Sequence, residues 1–120
     1  MPGKEKTDWE GGVYPLLLEF PSTYPQNPPN VRFVGVGRTS LDRDSFCHPN
    51  VYPDGRVCLD IIGNNWEAGL TIQDVLKGIQ ELLHEPNNTD PASSLAYQLY
   101  KDSRKKYNEK VRAIAKRYAP

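Results

Sequence analysis

The stretch PSTYPQNPPN, residues 21–30, sets the strongest limit on what this chain can fold into. Proline fixes φ and offers no N–H to a helix or a central ladder, so four prolines in ten residues lock a turn. The runs on either side, GGVYPLLLEF (11–20) and VRFV (31–34), are then predicted to be strands paired as an antiparallel hairpin. Val31 and Phe33 share one face, and Pro15 favours an edge position for the first strand. Tyr24–Pro25 is expected to be cis, because aromatic–proline bonds are the more permissive ones and the packed turn must reverse the chain.

Beyond residue 70 the pattern changes period. Ile72, Val75, Leu76, Ile79, Leu82 and Leu83 recur at helical spacing, Thr71 and Asp74 fit a capping box, and Pro86 stops the run. Two more helices are predicted over 92–101 and 104–118, with Pro91 suited to the first turn of the earlier one. Tyr107, Val111, Ile114, Ala115 and Tyr118 form the buried stripe of the later one. Residues 35–46 and IIGNNWEAGL read as connecting loops, the first long enough to be either functional or mobile. Strands first and helices after is an α+β order, and 120 residues suit one domain.

Composition narrows the function classes. The longest aliphatic run, Leu16–Leu18, is far too short for a membrane span, and MPGKEKTDWEGG shows no apolar leader. Two cysteines in that setting suggest free thiols in a reducing compartment. The formal net charge is zero, but residues 101–118 carry eight Lys/Arg against Asp102 and Glu109, a net +6 balanced by −6 elsewhere. Such a segment is either a solvated helix face or a surface for an acidic protein; without interleaved aromatics or glycines it does not resemble a nucleic-acid module. Neither a nucleic-acid nor a membrane partner is expected.

The chemistry concentrates in HPNVYPDGRVCLDI, residues 48–61. Cys58, between Val57 and Leu59, is either a small buried hydrophobe or a reactive thiol in a rigid polar setting. Cys47, His48 and Cys58 lack the paired spacing of a structural zinc site, so no metal is expected. His48 or His84 could serve as base to a cysteine nucleophile, though His48 before Pro49 suits a structural hydrogen-bonding role. Asn50 is either an Asx-turn former or an amide able to stabilise an oxyanion beside a thiolate. Asp90 before Pro91 is ordinarily a helix N-cap.

Taken together the chain resembles the ubiquitin-conjugating enzyme family. The matching pieces are WEGG (9–12), YPQNPP (24–29), HPN (48–50), VCLDI (57–61), Trp66 with LTI (70–72), and EPNNTDPA (85–92), in the family's order and over nearly the whole chain. HPNVYPDG, GIQELLHEPNNTDPA, Tyr97 and the ending EKVRAIAKRYAP are most similar to its SUMO-conjugating branch. CLDIIGNNW, however, lacks that branch's two-residue enlargement after the cysteine and matches ubiquitin carriers in length.

The resemblance implies an α+β fold and a transferase without a cofactor, working in nucleus and cytoplasm with SUMO, an activating enzyme, ligases and lysine-bearing protein substrates. It implies that Cys58 takes the modifier as a thioester and that Asn50 stabilises the oxyanion or braces the loop shaping the site. Asp90 and Tyr97, with Tyr52 and the adjoining Pro91, are implied to hold the incoming lysine. Asp54 and Arg56 would lie beside the groove, at an edge that reads an acidic residue two after the target lysine. In the SUMO branch a lysine stands where this chain has Asn30; Arg56 restores a charge there and Asp54 opposes it.

The departures are the long 35–46 loop, WEAG in place of Trp-x-Pro-Ala, and no counterpart before Met1 to the family's first helix and two strands. The domain expected over 1–120 is therefore N-terminally incomplete, with an open edge along 13–20 that makes it unstable or oligomeric and poorly charged. Two alternative readings are a ubiquitin-conjugating enzyme and an inactive relative acting as a binding module.

Overall fold

The computed structural model describes residues 1–35 and 46–120, so the expected long loop lies, apart from its ends, outside the described residues. Two short antiparallel strands, β1 (Leu16–Glu19) and β2 (Asn30–Phe33), are followed by a 3-10 turn (Asp60–Ile62). Three helices complete the chain: α1 (Ile72–His84), α2 (Ser94–Asp102) and α3 (Arg104–Arg117). The α+β order holds. Leu16 pairs with Phe33 and Glu19 with Asn30, and the proline turn between the strands contains the expected cis bond at Tyr24–Pro25. Trp66 anchors that turn by donating from Nε1 to the Pro25 carbonyl at 2.9 Å.

The first strand is shorter than the 11–20 expected. Pro15 has no N–H, the Val13 N–H goes to the Tyr118 carbonyl at 2.8 Å, and the Tyr14 N–H goes to the Met1 carbonyl at 2.7 Å. The ladder with β2 therefore begins at Leu16. The open edge expected along 13–20 is covered by the chain itself only at its start, while among the described residues β1 pairs with β2 alone. Pro2 bridges Val13, and the Gly3 N–H donates to the Gly12 carbonyl at 3.1 Å.

The core gathers between the sheet and the helices. Val31 and Phe33 alternate inward from β2, and Phe33 stacks on Phe46 at 4.4 Å. Val75, Ile79, Leu82 and Leu83 of α1 and Tyr107, Val111 and Ile114 of α3 join the same buried cluster, which is the expected helical stripe. The capping box forms as its residue types dictate, with Thr71 accepting from the Asp74 N–H and Asp74 accepting from the Thr71 N–H. Gly78 matters for a different reason. A Cβ there would lie 2.8 Å from Ile61 Cδ1 and 3.3 Å from Leu59 Cδ2, so its bare face is what lets the segment after Cys58 pack onto α1.

His48 fastens the loop before that segment to the same helix. It is fully buried, and Nε2 lies 2.7 Å from the Leu82 carbonyl, one of the last four carbonyls of α1 that have no partner within the helix. A carbonyl only accepts, so Nε2 carries the proton and Nδ1 is left to accept the Asn50 N–H at 3.0 Å. A second proton would break that bond. Burial pushes the His48 pKa down to about 4, against the opposing hydrogen bonds that the ring gives to the backbone of Leu82 and Leu83.

The pH dependence follows from the sign of that shift. Unfolded His48 binds a proton below about pH 6.5, whereas the folded ring resists it until about pH 4. Its contribution is complete above pH 6.5 and is lost as pH falls toward 4, on the order of 3 kcal/mol in all. Denaturant midpoints measured from pH 7.5 to 4 should fall through this window in the parent chain. A His48→Gln variant should start lower and lose this part of the slope.

Candidate active site

Residues 50–58 form a small hairpin. The Tyr52 N–H donates to the Arg56 carbonyl and the Gly55 N–H to the Tyr52 carbonyl, both at 2.8 Å. Gly55 holds a φ of 96°, a left-handed position supplied by the Asp54–Gly55 turn signal. The Cys58 N–H donates to the Asn50 carbonyl at 2.9 Å, so the asparagine and the thiol, eight positions apart, face one another across the hairpin. Val51 and Val57 bridge and point into the core. The twofold alternation of extended chain then leaves Tyr52 and Cys58 half-exposed.

Asn50 is completely buried, and every polar atom of its amide is engaged. Nδ2 donates to the Asp90 carbonyl at 2.7 Å and the Asn87 carbonyl at 2.9 Å, with the Asn87 Oδ1 at 3.3 Å. Its Oδ1 accepts the Asn87 N–H at 3.0 Å. This geometry makes Asn50 a brace for the loop over the thiol; both amide protons already have acceptors, leaving none aimed at an oxyanion.

Asp90 comes to the thiol by way of that brace. It is not a helix cap: α2 begins at Ser94, with Ser93 as the N-cap accepting from the Ala96 N–H. The expected start near residue 92 is overridden because the N–H groups of Ala92 and Ser93 both donate to the Pro49 carbonyl, at 3.0 and 3.1 Å, which keeps residues 91–93 out of the helix. Pro91 is accordingly outside the helix and exposed. Burial pushes the Cys58 thiol pKa up, the Asp90 carboxylate pushes it further, and a hydrogen bond from Tyr52 opposes them. Cys58, Tyr52 and Asp90 thus share one environment.

Tyr97 stands one step away. It is half-buried on α2 and lines a depression with Asn87. Asp54 and Arg56 sit at the hairpin tip instead, where Arg56 Nε pairs with Asp54 Oδ2 at 2.8 Å and the guanidinium lies 4.6 Å above the Tyr52 ring. Burial pushes the Asp54 pKa up, but the Arg56 backbone N–H, its side-chain hydrogen bond and its charge together outweigh that and hold the carboxyl below its ordinary value. Asp54, Arg56 and Asn30 line a separate depression with Arg32 and Glu19.

Sequence reasoning passed over Asn87. Its Oδ1 accepts from the Asp90 N–H at 2.9 Å and from the Thr89 N–H at 3.1 Å, which shapes the turn that Asn50 then holds. The signal was the Asn87–Asn88 pair ahead of Thr89, the composition of an Asx turn.

The family model described as ubiquitin-conjugating enzyme matches residues 1–115. The chain is 46% identical over 122 residues to the Sumo-conjugating enzyme ubc9 of Dictyostelium discoideum, covering 100% of this chain and 71% of that protein. It is 40% identical over 120 residues to the SUMO-conjugating enzyme SCE1 of Arabidopsis thaliana, covering 98% of this chain and 69% of that one.

Two outcomes are expected from the geometry. Asn50→Ala should lower stability by about 1–3 kcal/mol, the penalty of stranding buried hydrogen-bonding groups. It should also speed amide exchange at Asn87 and Asp90 more than in α1; uniform exchange changes would instead mean that the brace is not local. The second outcome concerns the thiol. Asp90→Asn should move the pH profile of Cys58 alkylation, followed by peptide mass spectrometry, to lower pH, and Tyr52→Phe should move it to higher pH.

Proposed function

Since this chain belongs to the ubiquitin-conjugating enzyme family, we propose that it is a SUMO-conjugating enzyme carrying the modifier as a thioester on Cys58. What carries the reading is the juxtaposition of a half-exposed thiol, a braced loop and the Asp90 carboxylate, in a chain similar along its length to two proteins bearing that name. The partners this requires are the modifier, its activating enzyme and a protein that presents a lysine; ligases acting in the nucleus and cytoplasm extend the same reading.

The chemistry consists of two acyl transfers. The Cys58 thiolate attacks the carbonyl of the modifier's C-terminal thioester on the activating enzyme, the new S–C bond forms as the old one breaks, and the activating enzyme leaves as its thiolate. The lysine amine then attacks the same carbonyl, an amide N–C bond forms, the Cys58 thiolate departs, and the nitrogen gives up its proton. Asp90 cannot help by acidifying the ammonium, because a nearby carboxylate raises an amine pKa. Its contribution is orientation, with Tyr52, Pro91 and Tyr97 excluding water from the approaching chain and lowering the amine pKa by desolvation. Asn50 acts through Asp90, as a positioning residue.

Incubation with activating enzyme, ATP and either SUMO or ubiquitin, followed by non-reducing electrophoresis, tests the assignment. SUMO should give a reductant-sensitive adduct, Cys58→Ser at most a reductant-resistant oxyester, and Cys47→Ser a normal thioester. Loss of charging in the Cys47 variant alone would move the carrier to that residue. Preferential charging with ubiquitin would make the chain a ubiquitin carrier.

A further inference from the structure

Two cationic surfaces flank the site, and they differ in whether their charges are already answered. On the hairpin side Arg56 pairs with Asp54 at 2.8 Å and Arg32 with Glu19 at 3.7 Å. The depression of about 400 Å³ lined by these residues therefore carries two cations and two anions. On the other side, a depression of about 360 Å³ opens between the 86–88 turn and the junction of α2 with α3. Lys101 and Arg104 line it, no acidic residue does, and neither cation has an ion-pair partner among the described residues.

Arg104 is also held in place. Its Nε donates to the Tyr100 carbonyl at 2.9 Å and its guanidinium lies 3.5 Å over the Tyr100 ring. The four protons on its two terminal nitrogens stay available in a fixed fork, the geometry that suits a carboxylate. Past Arg104 the trough continues into a second depression of about 420 Å³, where Lys6 and His84 add basic groups. The one carboxylate there, Asp8, is bound to Arg112 at 3.6 Å.

The near wall of this trough is the site itself. Asn87 and Tyr97 line it, and Asn87 bonds to Asn50, whose carbonyl holds the Cys58 N–H. From Tyr97 to Lys101 is one helical turn, about 6 Å, a distance that two extended residues of a docked segment cover. We propose that this trough binds an acidic stretch of the lysine-bearing protein, a few residues from the lysine itself. The inference rests on the lysine-transfer reading above for its occupant, and on unpaired charge beside the site for its location.

The test uses peptides with a single lysine in a neutral context, or with three glutamates placed two to four residues before or after it. Single-turnover discharge of the Cys58 thioester should be about threefold to tenfold faster with one of the acidic peptides, the range two exposed charge pairs support. With Lys101→Glu/Arg104→Glu the preference should pass to a peptide carrying lysines in place of the glutamates. Equal rates for acidic and neutral peptides overturn the proposal, and so does an acidic preference that survives in the double variant. Binding of the same peptides to the uncharged protein, followed by NMR, separates this from failure of the carrier assignment. Shifts should map to residues 86–88 and 97–104 whether or not Cys58 charges, and shifts confined to Arg32 and Arg56 overturn the inference.

Discussion

Burying a primary amide is tolerable only when each of its hydrogen-bonding atoms finds a partner, and Asn50 meets that condition with groups from a segment 37 to 40 positions away. Its own N–H adds the His48 ring, and its carbonyl adds the Cys58 N–H. One residue thus joins the thiol's hairpin, the end of α1 and the turn ahead of α2. A side chain that left any of these groups unanswered would be penalised at several points at once, so the three segments hold their relative places as a unit.

The electrostatics of the sulfur fit a carrier better than an aggressive nucleophile. Reactive cysteines usually sit beside a cation or a helix N-terminus that favours the thiolate. Here burial and a carboxylate disfavour it. The same two influences act only weakly on a thioester, which has no charge to desolvate or repel. The surroundings of Cys58 therefore tilt the balance toward the acylated form relative to the free anion, which suits the proposed function.

Local signals were legible and distant ones were not. The stripe from Ile72 to Leu83 and the Thr71–Asp74 box are decided within one turn of helix, and both appear as expected. The proline turn likewise foretold the hairpin. Pro91, by contrast, carries a local helix-start signal that loses to the Pro49 carbonyl, and no pattern near residue 91 announces that competitor. The first strand shortened for the same reason, since its donors answer to Met1 and Tyr118. At the site, Cys58 and Asn50 were each visible as a choice between two roles, whereas Asp90 read locally as a helix cap and only the family resemblance set it beside the thiol. The choice for Asn50 depended on Asn87, whose importance comes wholly from its distant partner.

The bare backbone at Gly78 carries a consequence for natural variation. Judged by helix propensity, alanine would be an improvement there. In this molecule the added methyl would press on Ile61 and Leu59, and Leu59 directly follows the thiol. A methyl that looks favourable on α1 alone has to be absorbed by turning the ends of those two side chains, so its cost falls on the segment that follows the thiol and not on the helix that carries the change.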